Sequence, residues 1–412
     1  VDATKARQEA CAARFPLELV AMKDITAIQQ ALREQGIEAW LFFDHHHRDP
    51  IAYRILGLDE NAHVTRRWFY LVPAVGEPKK LVHRIESLRL DSLPGEKQTY
   101  SSWQELVTGI EQLLQGTQQL AMQYSPDNVI MYVSMVDAGT VELLRGMGKQ
   151  IVTSANLIAQ FEAVLTAEQM ESHYAAQRKI DALLHEGFAV LGQRARTGST
   201  DSHEYAMVQW LSEAMTLEGL VWEHGPNVSV NQNAADSHYE PTMESSRPIR
   251  RGDFVLIDIW ARENRPGTCY YDITWTGVVD REPTSREAAV FAAVRDGRDA
   301  AIAKVKAAFA ARQPLPGWQV DDAARAVLRE RGLGDAFTHR TGHNIATDIH
   351  GNGANLDNLE THDERLILPH TCFSVEPGAY LDDFGIRSEV NMLTWPDRAE
   401  VTGRIQTELL RL

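Results

Sequence analysis

Four carboxylates interrupt apolar stretches in the second half of the chain. Asp258 lies in "FVLIDIW", Asp272 in "YYDITW", Glu376 in "FSVEPGAY" and Glu389 in "IRSEVNM". An ionised carboxylate taken out of water is costly unless it is paired or binds a cation. A buried salt bridge, or the exposed alternate face of a strand, accounts for any one such acid. Four that converge would repel one another and would need protons or a multivalent cation. Residues 339–350 read "HRTGHNIATDIH" and add His339, His343 and His350. That cluster fits a metal site, an acid/base relay or coincidence, and offers too few ligands to decide among them. Four carboxylates and one imidazole form an oxygen-rich donor set, suited to Mn²⁺, Co²⁺, Fe²⁺ or Zn²⁺ rather than to a thiolate-selected metal. Several bridging carboxylates suit two ions about 3.5–4 Å apart, the arrangement of two-metal hydrolases.

The elements that must hold these residues are mostly strands. "GDFVLIDIW", "YYDITWTGVVD", "TCFSVEPGAY" and "IRSEVNMLTW" read as strands, with helices near 284–309 and 319–331 between them. Upstream, "TAEQ" at 166–169 matches a capping box, Thr166 at the N-cap and Gln169 three residues on. The helix it opens carries Met170, Tyr174, Leu184, Phe188 and Leu191 near one face. A second helix follows "TGSTD", with Ser199, Thr200 or Asp201 as its cap. The first 160 residues differ in texture. "ITAIQQALREQG" has helical spacing and ends at Gly36, a C-cap residue type. "EAWLFF", "RWFYLV", "KKLVH" and "LAMQY" read as strands, and a helix is expected near 137–147. This is an α/β pattern. The boundary falls just before the capped helix, giving domains 1–163 and 164–412.

The chain has 412 residues, 44% apolar and 24% charged, enough for two domains with sizeable cores. A net charge of −16 argues against nucleic acid or anionic membrane as the main partner, because both demand basic surface. No run of about 18 apolar residues marks a membrane span. The N-terminus lacks a continuous apolar core of the signal-peptide kind. Cys11, Cys269 and Cys372 form no C-x-x-C pair and no disulfide framework. They are expected to pack as small apolar residues in a protein of the reducing cytoplasm. His45, His46 and His47 follow "LFFD" and read as a polar loop that binds no catalytic metal.

The ordered set Asp258, Asp272, His343, Glu376 and Glu389, in "LIDIW", "YYDITWTG", "GHNIATDIH", "VEPGAY" and "IRSEV", resembles the pita-bread metallopeptidases. That family includes methionine aminopeptidase, aminopeptidase P, prolidase and creatinase. The motifs cover roughly residues 225–392. The layout ahead of them resembles the N-terminal creatinase/prolidase domain. The fold implied is α+β: a C-terminal pita-bread catalytic domain after an N-terminal α/β domain. The resemblance makes the five residues metal ligands for two divalent ions, Mn first, with Co, Zn or Fe as alternatives. It picks His343 as the ligand within "HRTGHNIATDIH". His350 and His238, the latter in "SHYEP", become contacts to substrate or oxyanion. Glu376 becomes the general base, and Arg387 the partner of active-site carboxylates. His339 is left with a structural part.

The activity implied is an exopeptidase, an Xaa-Pro dipeptidase or aminopeptidase acting on short proline-containing peptides as a homodimer. A hydroxide held by the two ions would be the nucleophile, with Asp258 and Glu389 bridging. Alternatives on the same scaffold are a C–N hydrolase of a small amide or amidine, a metal-dependent lyase, or a non-catalytic binding module. Three departures from the family pattern bear on substrate. The segment "IWARENRPGTCYY" is long, which implies an extended hairpin. Asn344 and Ala346 replace the usual pattern after the Gly-His pair and are expected to reshape that wall. Arg365 stands where some prolidases grip a substrate carboxylate.

Overall fold

The computed structural model describes residues 25–412. The readings made on the N-terminal segment, including Cys11, lie outside the described residues. The chain divides into two units, one reaching Tyr124 and including Val133–Ser154, the other made of Ser125–Tyr132 and Ala155–Leu412.

In the first unit α1 (Ile25–Gln35) ends where Gly36 takes φ +66°, a left-handed turn that costs glycine little. A six-stranded sheet follows: β1 (Ala39–Asp44), β2 (Trp68–Pro73), β3 (Lys79–His83), β4 (Glu96–Tyr100), β5 (Gln119–Met122) and β6 (Gln150–Thr153), in the order β4-β3-β2-β1-β5-β6. Only β2 runs against its neighbours; β3 pairs parallel to β4, and β1 parallel to β5. Helices α2 (Pro50–Leu56), α3 (Trp103–Leu113) and α4 (Ala138–Gly146) complete the unit. Leu41, Phe43, Phe69, Leu71 and Leu81 pack with Leu106, Ile110 and Leu144 in one core. Each such side chain contributes about 1.5–3 kcal/mol on burial. The strand β4 reads "EKQTY" and is exposed except at Tyr100, so it carries no apolar pattern for a sequence reading to find.

The second unit opens with α5 (Ala155–Glu162) and the long α6 (Ala167–Thr197), which is capped as the sequence predicts. Thr166 Oγ1 accepts from Gln169 N (3.2 Å) and Gln169 Oε1 from Thr166 N (2.9 Å). The cap of α7 (Glu204–Leu217) is His203, whose Nδ1 accepts from Ala206 N. It is not one of residues 199–201: Ser199 is used in the preceding turn, where its carbonyl accepts from Ser202 N and its hydroxyl from Asp201 N. Strands β7 (Leu220–Val221), β8 (Asn227–Val230), β9 (Phe254–Glu263) and β10 (Tyr271–Val278) follow, then α8 (Ser285–Ala310) and α9 (Trp318–Glu330). The chain ends in β11 (Asn344–Ile345), β12 (Cys372–Val375), β13 (Gly378–Tyr380), β14 (Gly385–Arg387), β15 (Val390–Trp395), β16 (Arg398–Thr402) and β17 (Leu410–Arg411). One sheet runs β17-β10-β9-β7 with β8 also on β9, and another runs β11-β12-β15-β16. This mixture of helices and antiparallel sheets is the α+β class expected from the sequence. Among the described residues no helix is long and apolar enough to cross a membrane.

Alternation sends the side chains of β9 and β10 to two opposite faces, both largely buried. Val255, Ile257, Ile259, Tyr271, Ile273 and Trp275 pack with Leu184, Phe188 and Leu191 of α6. Asp258, Asp272 and Thr274 fall on the opposite face.

Candidate metal centre

The hairpin β9–β10 aligns the first acids. Its register sets Asp258 opposite Thr274, and Asp272 opposite Trp260. Thr274 Oγ1 lies 2.8 Å from Asp258 Oδ1 and 2.7 Å from Glu389 Oε2, and accepts from Arg387 Nε at 3.1 Å. Its single proton serves one carboxylate at a time. Arg387 forms an ion pair with Asp258 through Nη2 and donates to the Tyr380 hydroxyl through Nη1 (3.1 Å).

The other two acids occupy breaks in strands. Expected within continuous strands, Glu376 stands between β12 and β13, and Glu389 between β14 and β15. Pro377 follows Glu376, lacks an N–H and cannot continue a ladder. Glu376 N instead donates to Thr341 O (2.7 Å), and Glu389 N to Thr274 O (3.2 Å). The breaks turn both carboxyls towards the hairpin face. Ser374 ties Glu376 to the histidine segment: its hydroxyl donates to Glu376 Oε1 (3.0 Å) and accepts from His343 N (2.9 Å). The approach requires Gly342, because a Cβ there would stand 2.0 Å from Ser374 O.

The five groups converge. His343 Nε2 is 3.6 Å from Asp272 Oδ2 and 3.3 Å from Glu376 Oε1. One ligand atom from each of Asp272, His343 and Glu389 lies within 4.8 Å of the others, and all three residues are buried. Two oxygens there, Asp272 Oδ1 and Glu389 Oε1, are buried without a hydrogen-bond donor. Burial and then the neighbouring carboxylates push both acids well above the usual carboxylate range. Burial also holds His343 below the usual imidazole value, which keeps its ring neutral. Neutral imidazole is the state in which histidine ligates a metal, and the two acids would release their protons as an ion binds. The donor set fits hard or borderline divalent ions.

Residues 171–394, more than half of the chain, match metallopeptidase family M24. The chain belongs to that family. Similar proteins include the Xaa-Pro dipeptidase of Pyrococcus furiosus, 29% identical over 169 residues, covering 41% of this chain and 44% of that one. The Xaa-Pro dipeptidase of Lactobacillus delbrueckii subsp. lactis is 26% identical over 235 residues, covering 56% of this chain and 58% of its own. The chain thus spans about half the length of the curated relatives it matches. In structure it is similar to dipeptidase PepE of Mycobacterium ulcerans, with TM-score 0.67 and 21% identity over 97% of this chain and 99% of the other. A prolidase from Thermococcus sibiricus matches with TM-score 0.60 and 20% identity, over 94% and 98%. The fold is accordingly the pita-bread fold preceded by the α/β domain, as the sequence resemblance implied.

The remaining histidines of this M24 chain separate by contact. The His350 ring meets that of His343 edge-on at 4.3 Å and is exposed on its other side. Proximity to His343, then burial, lowers its pKa, with Arg340 and His238 adding to the effect. His238 is exposed, on the loop after β8, with its backbone N on Asp236 Oδ1. His339 turns from the carboxylates: Nδ1 bonds Arg340 O and Nε2 bonds the Tyr380 hydroxyl, each at 2.7 Å. His45, His46 and His47 lie in the first unit, where His47 Nε2 bonds Ala62 O. Arg365 is spent on Asp363 in a buried bidentate pair, so it does not present a free guanidinium to substrate. Asn344 bonds Cys372 O and Gly353 N, so its side chain serves the fold rather than the wall of the site. Cys269 and Cys372 are buried free thiols. Sequence reasoning missed Thr274, Ser374 and Tyr380. Thr274 and Ser374 each stand two residues from a chosen acid, on the same strand face or at its edge.

Proposed function

We propose that this chain is a metal-dependent exopeptidase hydrolysing Xaa-Pro bonds in dipeptides or short peptides, with residues 164–412 as the catalytic domain. The observation that carries the reading is the pair of donorless buried oxygens on Asp272 and Glu389 beside a neutral His343. Buried carboxylate oxygens without a donor call for a partner, and a bound cation supplies one. Asp258, Asp272, His343, Glu376 and Glu389 would hold two divalent ions, Mn first. Both oxygens of Asp258 already have partners, on Thr274 and Arg387. Asp272 and Glu389 each keep one carboxylate oxygen that no protein donor engages, and these would be open to an ion. When bound, such ions lower the pKa of water and polarise a carbonyl.

The chain's own groups supply the rest. Glu376 is the one acid of the set that is only half-buried, and Ser374 fixes one of its oxygens. It is suited to take the proton of an attacking water and return it to the leaving imino nitrogen of proline. His350, kept neutral beside His343, donates an N–H to the developing oxyanion or to substrate. His238, exposed near it, is assigned to the same task. Arg387 touches Asp258, Thr274 and Tyr380, so it orients carboxylates rather than substrate. Proline specificity follows the Xaa-Pro relatives, and a homodimer is proposed with it.

The test is hydrolysis of Gly-Pro, Ala-Pro and a longer Xaa-Pro peptide by protein loaded with Mn²⁺, Co²⁺ or Zn²⁺, with bound metal counted. Metal-dependent release of the residue before proline is expected. Protein that holds two ions yet cleaves none of these peptides belongs to the C–N hydrolase or lyase alternatives. Protein that holds no ion sinks the reading.

A further inference from the structure

We propose that the first unit carries a second binding site, a cleft at one edge of its six-stranded sheet that takes a small organic anion bearing a carboxylate or phosphate. The cleft has a volume of about 700 Å³. Its lining comes from the carboxyl ends of β1, β3 and β4 (Phe43, His83 and Tyr100), from residues 65–67 just ahead of β2, and from the starts of α3 and α4. In open α/β sheets ligands settle outside the carboxyl ends of the strands. Here β2 runs opposite to its neighbours, so its amino end reaches the same edge.

The charge of the lining is one-sided. Arg48, Arg66 and Arg67 contribute three guanidinium groups, joined by the imidazoles of His45 and His83, in a chain whose net charge is −16. Asp137 is the one carboxylate among the lining residues; Thr140 donates to it through N (2.9 Å) and Oγ1 (2.8 Å), and Arg48 acts on its charge without forming an ion pair, so the lining keeps an excess of cations. Among the described residues neither Arg48 nor Arg67 forms an ion pair. The Arg66 guanidinium hydrogen-bonds Thr65, at its carbonyl and its hydroxyl, and acts on the charge of nearby Glu86, which also accepts from Arg66 N (3.3 Å). Arginine forks matched to planar or tetrahedral oxyanions are the usual recognition chemistry for carboxylate and phosphate.

The loop bearing His45 and Arg48 is held in place rather than left slack. Asp44, buried, accepts from His47 N (3.1 Å), Arg48 N (2.7 Å), Asp49 N (3.2 Å) and the Tyr53 hydroxyl (2.7 Å). His46 and His47 take φ of +63° and +55°, a left-handed conformation that non-glycine residues adopt at a cost. At the cleft, Trp103 is 69% exposed, and Phe43 and Leu143 add apolar surface. The arrangement matches an anionic group on the arginines and an apolar or aromatic body against Trp103. Ser101 and Ser102 add hydroxyls.

Calorimetric titration of the metal-loaded full chain with phenyl phosphate and with benzoate tests this, using benzyl alcohol at matched ionic strength as the uncharged control. The two anions separate a phosphate preference from a carboxylate preference. Saturable binding of at least one anion is expected, weakened tenfold or more in Arg48→Ser/Arg67→Ser, since losing a charge-assisted contact costs about that much. Fluorescence titration gives a second reading: the anion quenches the wild type and leaves Trp103→Phe unquenched. Circular dichroism and thermal scans matching the wild type show that the variants are folded. Anion binding no stronger than that of benzyl alcohol, or binding that survives the double arginine change, overturns the proposal.

Discussion

Replacing Glu389 by Gln should make the metal-free protein more stable at neutral pH, although it removes a residue assigned to the metal centre. Glu389 and Asp272 place ligand atoms within 4.8 Å of each other, so two ionised carboxylates there repel by about 3.5 kcal/mol at an effective dielectric of about 20. Part of that penalty is relieved by Arg387 and by proton uptake, leaving roughly 2–3 kcal/mol for the variant to recover. For a unit of this size 1 kcal/mol shifts the melting temperature by about 2 °C, so a rise of about 4–6 °C is expected. Both acids titrate above the ordinary carboxylate range. The folded chain then holds protons that the unfolded chain has released, and stability falls as pH climbs from the unfolded pKa through the folded one. The gap between variant and wild type should therefore shrink from pH 7.5 to pH 5.5. Added Mn²⁺ should reverse the order, because only the wild type keeps its full ligand set. Thermal scans of chelated protein at both pH values, with and without Mn²⁺, read all three effects. A chelated variant that melts at or below the wild type at pH 7.5 would refute the reasoning that these carboxylates are strained by each other.

His343→Ala should lose metal and activity together, whereas His350→Ala should keep its metal and lose about 10²–10³ in kcat, the usual cost of one oxyanion donor; metal content and kcat on the purified variants separate them. His339→Ala should also keep its metal yet lower kcat, because it frees the Tyr380 hydroxyl that meets Arg387. Substituting His45, His46 and His47 with Ala should leave metal content unchanged, and loss of both ions would contradict the placement of the centre. Glu204→Gln should destabilise by about 1–3 kcal/mol and raise KM for peptide, because this buried carboxylate accepts from Val230 N, Asn233 Nδ2, the Tyr239 hydroxyl and Arg247 N around the loop that carries His238; unchanged KM with lost stability would reduce it to a structural part.

What the sequence made legible was local. The capping box at Thr166, the alternation in "YYDITWTG" and the helix ending at Gly36 each depend on residues close in the chain. The cap at His203 was missed because histidine is not among the usual capping residues, while Ser199, a usual one, is consumed by the turn before it. The strand breaks at Glu376 and Glu389 were missed because "FSVEPGAY" and "IRSEVNM" keep a strand-like composition through them, although Pro377 was the available signal. The Tyr380 link between His339 and Arg387 joins residues 41 and 7 positions apart. Nothing in either segment alone announces it. Asp321 and Arg325 have the spacing of an ordinary exposed helix pair. Both are buried, and together they bond Thr341 N, Phe337 O and His339 O, so they anchor the histidine segment.

That pair also clarifies the metal centre by contrast. Asp321 accepts from Arg325, Thr341 and Asn358. Asp363 accepts from Arg365 and from Asn355 N. Glu204 takes donors on both oxygens. The fold thus supplies its buried carboxylates with donors wherever they serve structure, as the cost of an unpaired buried charge requires. Among the described residues the buried carboxylate oxygens left without any donor are Asp272 Oδ1 and Glu389 Oε1, and both belong to the one cluster where an imidazole also faces carboxylates. A hydroxyl or amide placed beside them would relieve the strain and would occupy the space of a cation. Asn391 stands next to Asp272 and bonds its backbone N–H instead of its carboxylate. Among the described carboxylates the omission is therefore local and selective, and a cation is the kind of partner that would answer it.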